Sequence, residues 1–129
     1  MTLILPFVVT LAVLVALDAA MLGLALAPLF MAHIGPIMAD PMRAAPTVLF
    51  YPAYAAGLVW LVSRPALREG RAVVAPAAVV GAMAYGTFEL TNYAILRDWH
   101  LSMVVADMAW GTVLTAVSAW GVAAARRWG

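Results

Sequence analysis

At 129 residues, 67% of them hydrophobic and only 10% charged, the chain carries more apolar surface than one soluble domain of its size can bury, so lipid must be its solvent. A net charge of +1 offers no electrostatic footprint for nucleic acid, and the lack of cysteine excludes disulfides, thiolate metal sites and cysteine nucleophiles. Since a bilayer span needs roughly 20 apolar residues, the length allows four spans with short connections and no separate soluble domain; the expectation is one all-α integral membrane four-helix bundle over residues 1–129.

The first helix is expected from about Leu3 to Leu26. Its opening stretch to Leu17 resembles the apolar core of a secretory signal, but no basic residue precedes it and apolar sequence continues past Asp18 to Phe30, which favours an uncleaved span. Pro28, Pro36, Pro41 and Pro46, mixed with His33, Asp40 and Arg43, then predict an interfacial loop with a short helical piece. A second helix is expected over about Thr47 to Val62, ending at Arg64 and Pro65. The third runs from about Ala72 to Leu96 and the fourth from about Leu101 to Ala125, closed by Arg126, Arg127 and Trp128.

The second loop and the C-terminus hold Arg64, Arg68, Arg71, Arg126 and Arg127, against Arg43 and Arg97 in the other two loops. That asymmetry predicts a multi-pass protein of a cell inner membrane with both termini cytoplasmic. Trp99 and Trp128 fall where interfacial anchors are expected, and His33 and His100 read as solvated loop histidines.

Three acidic residues, Asp18, Glu89 and Asp107, fall inside helices one, three and four. A carboxylate at mid-bilayer costs about 2.5 to 3.5 kcal/mol, so three facing lipid would cost roughly 8 to 10 kcal/mol, as much as a domain's whole stability. They must face one another or a wet cavity. In an up-down bundle all three reach middle to outer depth, where Tyr51 and Tyr54 of helix two enter the same layer. Tyr85, Glu89 and Asn92 share one face of helix three; Asp107, Gly111, Thr115 and Ser118 form a small and polar stripe on helix four. Ala78, Ala82 and Gly86 follow the small-xxx-small spacing that admits a neighbouring backbone.

Such a cluster admits several readings. It can be hydrogen-bonding glue between helices, or an outward-biased pocket that binds or transports a small polar or cationic ligand, for which four helices without a pore would need a homodimer. Alternatively it serves an enzyme or accessory factor acting on lipids, or belongs to a structural subunit of a larger membrane complex. No cofactor is implied, and the Glu-x-x-His spacing typical of helical metal sites is absent, so no metal site is expected.

Four motifs carry a resemblance. Asp18, Ala19, Ala20, Met21, Leu22 and Gly23 match Asp-x-x-Trp-Leu-Gly with Met21 in the tryptophan position, and Phe50, Tyr51, Tyr54 and Gly57 match Phe-Tyr-x-x-Tyr-x-x-Gly. Tyr85, Thr87, Phe88, Glu89, Leu90, Thr91 and Asn92 match Tyr-x-Thr-Tyr-Asp-Leu-Thr-Asn with Glu89 for aspartate, and Asp107 to Thr112 are intact. Over nearly its whole length the chain resembles the bacterial membrane proteins grouped as domain of unknown function 2177. The resemblance implies four membrane helices and no established activity. Together with depth and spacing it gives the candidate ligand-binding set: Asp18, Tyr51, Tyr54, Tyr85, Glu89, Asn92, Asp107, Trp110 and Thr115.

Overall fold

Proline placement and apolar length decide where each helix runs in the structure, a computed structural model that describes residues 3–128. Helix α1 spans Ile4–Ile37, α2 Ala44–Glu69, α3 Val74–Ile95 and α4 Leu101–Trp128. The side chains of Arg127 and Trp128, used above for topology and anchoring, lie outside the described residues.

Helices α1 and α2 are longer than the sequence suggests, and the reason is the same in both. A π-helical turn occupies Leu22–Leu26 in α1 and Val59–Ser63 in α2, and each is followed two residues later by a proline, Pro28 and Pro65. A proline ring clashes with the carbonyl four residues back, and the wider π turn draws that carbonyl aside, so the helix continues. The expected loop from Pro28 onward therefore shrinks: α1 continues through Ala27–Ile34 into a closing 3₁₀ turn at Gly35–Ile37, leaving only residues 38–43 irregular. Likewise α2 runs past Val62 and Arg64 to Glu69, where Gly70, at φ +66°, ends it in the left-handed region and lets the Arg71 amide bond the Ala66 carbonyl at 2.8 Å.

Three of the helices, α1, α2 and α4, are long and apolar enough to cross a membrane. The 22 residues of α3 include Tyr85, Glu89, Thr91 and Asn92, which lower its apolar content. The whole is an all-α membrane bundle with Thr10, Asp18, Ser63, Glu89, Asp107, Thr115 and Ser118 buried and residues such as Ile4, Leu24, Leu49, Leu61, Val79, Ile95 and Val105 exposed around it.

Helix α4 is the central element. It packs antiparallel to α1, with Val9 and Val13 beside Gly121 at one end and Asp18 beside Trp110 further along. It also packs antiparallel to α3, where a Cβ on Gly81 would sit 2.5 Å from the Gly111 carbonyl oxygen and 2.8 Å from Thr115 Oγ1. This close approach corrects the expected stripe by one residue: Ala77 and Gly81 are buried, while Ala78 and Ala82 are only partly covered, and Gly86 meets the end of Met108. Near the chain termini α2 and α3 join through Leu58, Val62, Ala66, Val73 and Ala77, with Ala119 of α4 between them.

At the opposite end, His33 of α1 stacks on His100 with ring centroids 4.3 Å apart and 11° between planes. His100 Nδ1 accepts the Ser102 amide at 3.0 Å, capping the start of α4. His100 is exposed, as expected of a solvated loop histidine, while His33 is half-buried in the helical part of α1 rather than in a loop. Beside them the Arg97 guanidinium bonds Asp98 at 3.2 Å and draws its carboxyl below the ordinary value; both groups are solvated, so the pair does little for stability.

Candidate functional site

The half of the bundle nearest residues 38–43 contains a cavity of about 500 Å³, where α2 and α3 diverge. Leu22, Leu26, Ala27 and Phe30 of α1 line one wall, Met38, Met42 and Phe50 another, and Ala84 and Phe88 the α3 side. Asp18, Tyr51, Tyr85 and Asp107 give this otherwise apolar space its polar lining, and no Arg, Lys or His is among the residues that form it. The π turn follows Asp18 within one helical turn, so the same irregularity that accommodates Pro28 also sets the curvature of this wall.

Asp18, with 6% of its surface exposed, is well served. Its Oδ1 accepts the Trp110 indole N–H at 2.9 Å and its Oδ2 accepts the Tyr51 hydroxyl, so one carboxyl joins α1, α2 and α4. The indole is supplied from α4. Replacing Trp110 with phenylalanine is expected to lower stability by about 1 to 2 kcal/mol, because a buried carboxyl oxygen loses its donor, read as a drop in denaturation midpoint in detergent.

Below the cavity, Tyr54 and Thr115 hydroxyls bond at 2.8 Å, and Thr115 in turn donates to the Gly111 carbonyl. The Tyr54 and Tyr85 rings meet edge to face at 6.3 Å, closing the floor, and Tyr85 lies against Gly111, whose missing side chain makes room for the ring.

Glu89 is fully buried. Its Oε1 accepts the Trp99 indole N–H at 2.9 Å, while Oε2 has no nitrogen or hydroxyl donor among the described residues. Across the α3–α4 contact its acidic neighbour is Asp107.

Of the candidates, Asp18, Tyr51, Tyr85 and Asp107 line the cavity; Trp110, Glu89, Tyr54 and Thr115 stand immediately behind that lining through the bonds above. Asn92 does not join them: it is half-buried, and its side chain makes no hydrogen bond among the described residues. Trp99 was not expected there. It is 6% exposed, held edge-on by Phe30 at 5.3 Å and Phe88 at 5.7 Å. Only its ten-residue offset from Glu89 across a tight turn could have suggested the contact, and that signal is weak. Among the described residues, no three His, Asp or Glu side chains are grouped so as to hold a metal ion.

A model of a predicted membrane protein family, DUF2177, matches residues 3–124. The chain belongs to that family. Neither the curated proteins nor the solved structures include a match. Membership in DUF2177 agrees with the helical membrane architecture and assigns no reaction or ligand to the cavity.

Proposed function

We propose that this DUF2177 protein holds a small polar or cationic ligand in its intramembrane cavity, with the ligand's polar end at Asp107 and Asp18 and its apolar part along Leu22, Leu26, Phe30 and Phe88. The observation that carries this reading is the state of Asp107. Among the side-chain hydrogen bonds of the described residues none reaches Asp107, it borders open space beside Tyr51 and Tyr85, and Glu89 is its acidic neighbour. A carboxyl whose task was to glue helices would have a donor, as Asp18 has in Trp110 and Tyr51. Asp18 is the structural member of the set and Asp107 the one available to a ligand.

A cation suits the site better than a neutral polar molecule. Asp18 and Asp107 line the space, Glu89 stands behind Asp107, and no basic residue is among the lining, so a bound cation would meet acidic and phenolic groups and no competing positive charge. In this reading all four helices span a bacterial inner membrane, with Arg64, Arg68 and Arg71 on the cytoplasmic side together with both termini, so that the cavity belongs to the outer half. Transport, as distinct from binding, would require a second copy, because α4 fills the centre of the bundle.

The test is binding of tetraphenylphosphonium, an apolar monocation, to the detergent-solubilised chain, beside neutral triphenylphosphine oxide. The expected result is preference for the cation, weakened at least tenfold by Asp107→Asn with the thermal midpoint unchanged, a loss of about 1.4 kcal/mol in binding. If Asp107→Asn leaves cation binding intact, the site assignment fails; if it lowers the midpoint as much as it lowers binding, the cluster is glue.

A further inference from the structure

At the other end of the bundle, Trp60 in the π turn of α2 and Arg64 and Arg68 just beyond it lie along one groove. With Pro65 and Glu69 they line a groove of about 460 Å³, separate from the carboxylate cavity. The Arg64 guanidinium lies over the Trp60 ring, 4.5 Å from its centroid, which orients the planar fork. Glu69 is the one acid of the groove, and its carboxylate is taken up by Arg71 at 2.6 Å. Among the described residues neither Arg64 nor Arg68 has an ion-pair partner. The groove therefore offers two guanidinium groups to an anion.

The surroundings indicate which anion. Trp60 is 59% exposed and Leu61 65%, so an uncovered apolar surface runs from the arginines toward the middle of α2. A dissolved anion would use the guanidinium groups and leave that surface idle. A phospholipid uses both, because its phosphate meets the arginines at the headgroup level while an acyl chain follows the apolar strip. Guanidinium geometry matches phosphate oxygens in pairs, which a lysine could not do.

We propose that this groove is a binding site for an anionic phospholipid, with the phosphate between Arg64 and Arg68 and an acyl chain along Trp60 and Leu61. The site is independent of the cavity and of any ligand there. It fixes the depth of α2 in the leaflet that faces both chain termini.

The test reconstitutes the full chain in phosphatidylcholine nanodiscs and titrates in dibrominated phosphatidylglycerol or, separately, dibrominated phosphatidylcholine. Quenching of Trp60 is isolated as the difference from Trp60→Phe. Half-quenching is expected at about fivefold lower mole fraction of the anionic lipid. The double variant Arg64→Gln/Arg68→Gln should erase that difference. Glu69→Gln changes an exposed residue and removes the groove's one carboxylate, so it should widen the difference, while about 0.5 M salt should narrow it. These last two measurements keep the question open to refutation even if the double variant fails to fold. Equal quenching by both lipids in the unaltered protein overturns the proposal, as does a preference that survives loss of both arginines or is indifferent to salt. Inorganic phosphate that abolishes the preference at matched concentration would mean the groove takes a free anion, and overturns it too.

Discussion

Gly111→Ala is expected to lower the stability of the bundle by about 3 kcal/mol, the upper range for inserting volume into a close-packed contact. A Cβ at Gly111 would overlap the base of the Tyr85 ring at Cγ and both Cδ atoms. These atoms cannot swing aside as the tip of a flexible chain can, because the ring is held between Gly111 and the edge of Tyr54. Relief must come from moving α3 away from α4, and α3 is already at backbone contact one turn on, where Gly81 faces the Gly111 carbonyl. Separation would also draw Glu89 from Asp107 and widen the floor under the cavity. Gly23→Ala is the matched control: nothing lies within 4 Å of its Cβ position, and the helix propensity of alanine should leave stability unchanged or raise it by up to about 1 kcal/mol. Thermal unfolding in one detergent compares the two. A Gly111→Ala midpoint equal to that of Gly23→Ala would show that the α3–α4 contact is looser than the packing described here.

Much of this site can be read from the sequence because membranes make charge conspicuous. Asp18, Glu89 and Asp107 are visible in apolar segments, and the energy of leaving them in hydrocarbon requires that they face one another or a wet cavity. The stripe of Asp107, Gly111, Thr115 and Ser118 is likewise legible, since a single helical periodicity places all four on one face, and all four are buried. What sequence does not reveal depends on events outside that periodicity. The continuation of α1 through Pro28 requires a π turn, which has no local sequence mark. The register of the α3 contact differs by one residue from the small-residue spacing because Tyr85 itself fills the groove left by Gly111, so a large residue sits on the close-packed face. Asn92 illustrates the opposite error, for it shares the helix face of Glu89 but lies one turn further on, away from the cavity lining.

Trp99→Phe is expected to lower stability by about 2 to 3 kcal/mol, although phenylalanine retains an aromatic ring to face Phe30 and Phe88. The indole N–H is the one nitrogen or hydroxyl donor that Glu89 has among the described residues, and Glu89 is fully buried, so its loss leaves both carboxyl oxygens without such a donor. An interfacial tryptophan with a solvated N–H would show a change of a few tenths of a kcal/mol on the same substitution, as surface changes generally do. The partner substitution separates the two cases. Glu89→Leu removes the orphaned acid, so Trp99→Phe made in that background should cost less than about 1 kcal/mol, because removing both members of a buried polar pair is far gentler than removing one. The coupling energy from this double-mutant cycle, measured by denaturation in detergent, is expected at about 1.5 to 2 kcal/mol. A coupling near zero would mean that the Trp99 indole does not hold Glu89, and the carboxyl would then be free to turn toward the cavity alongside Asp107.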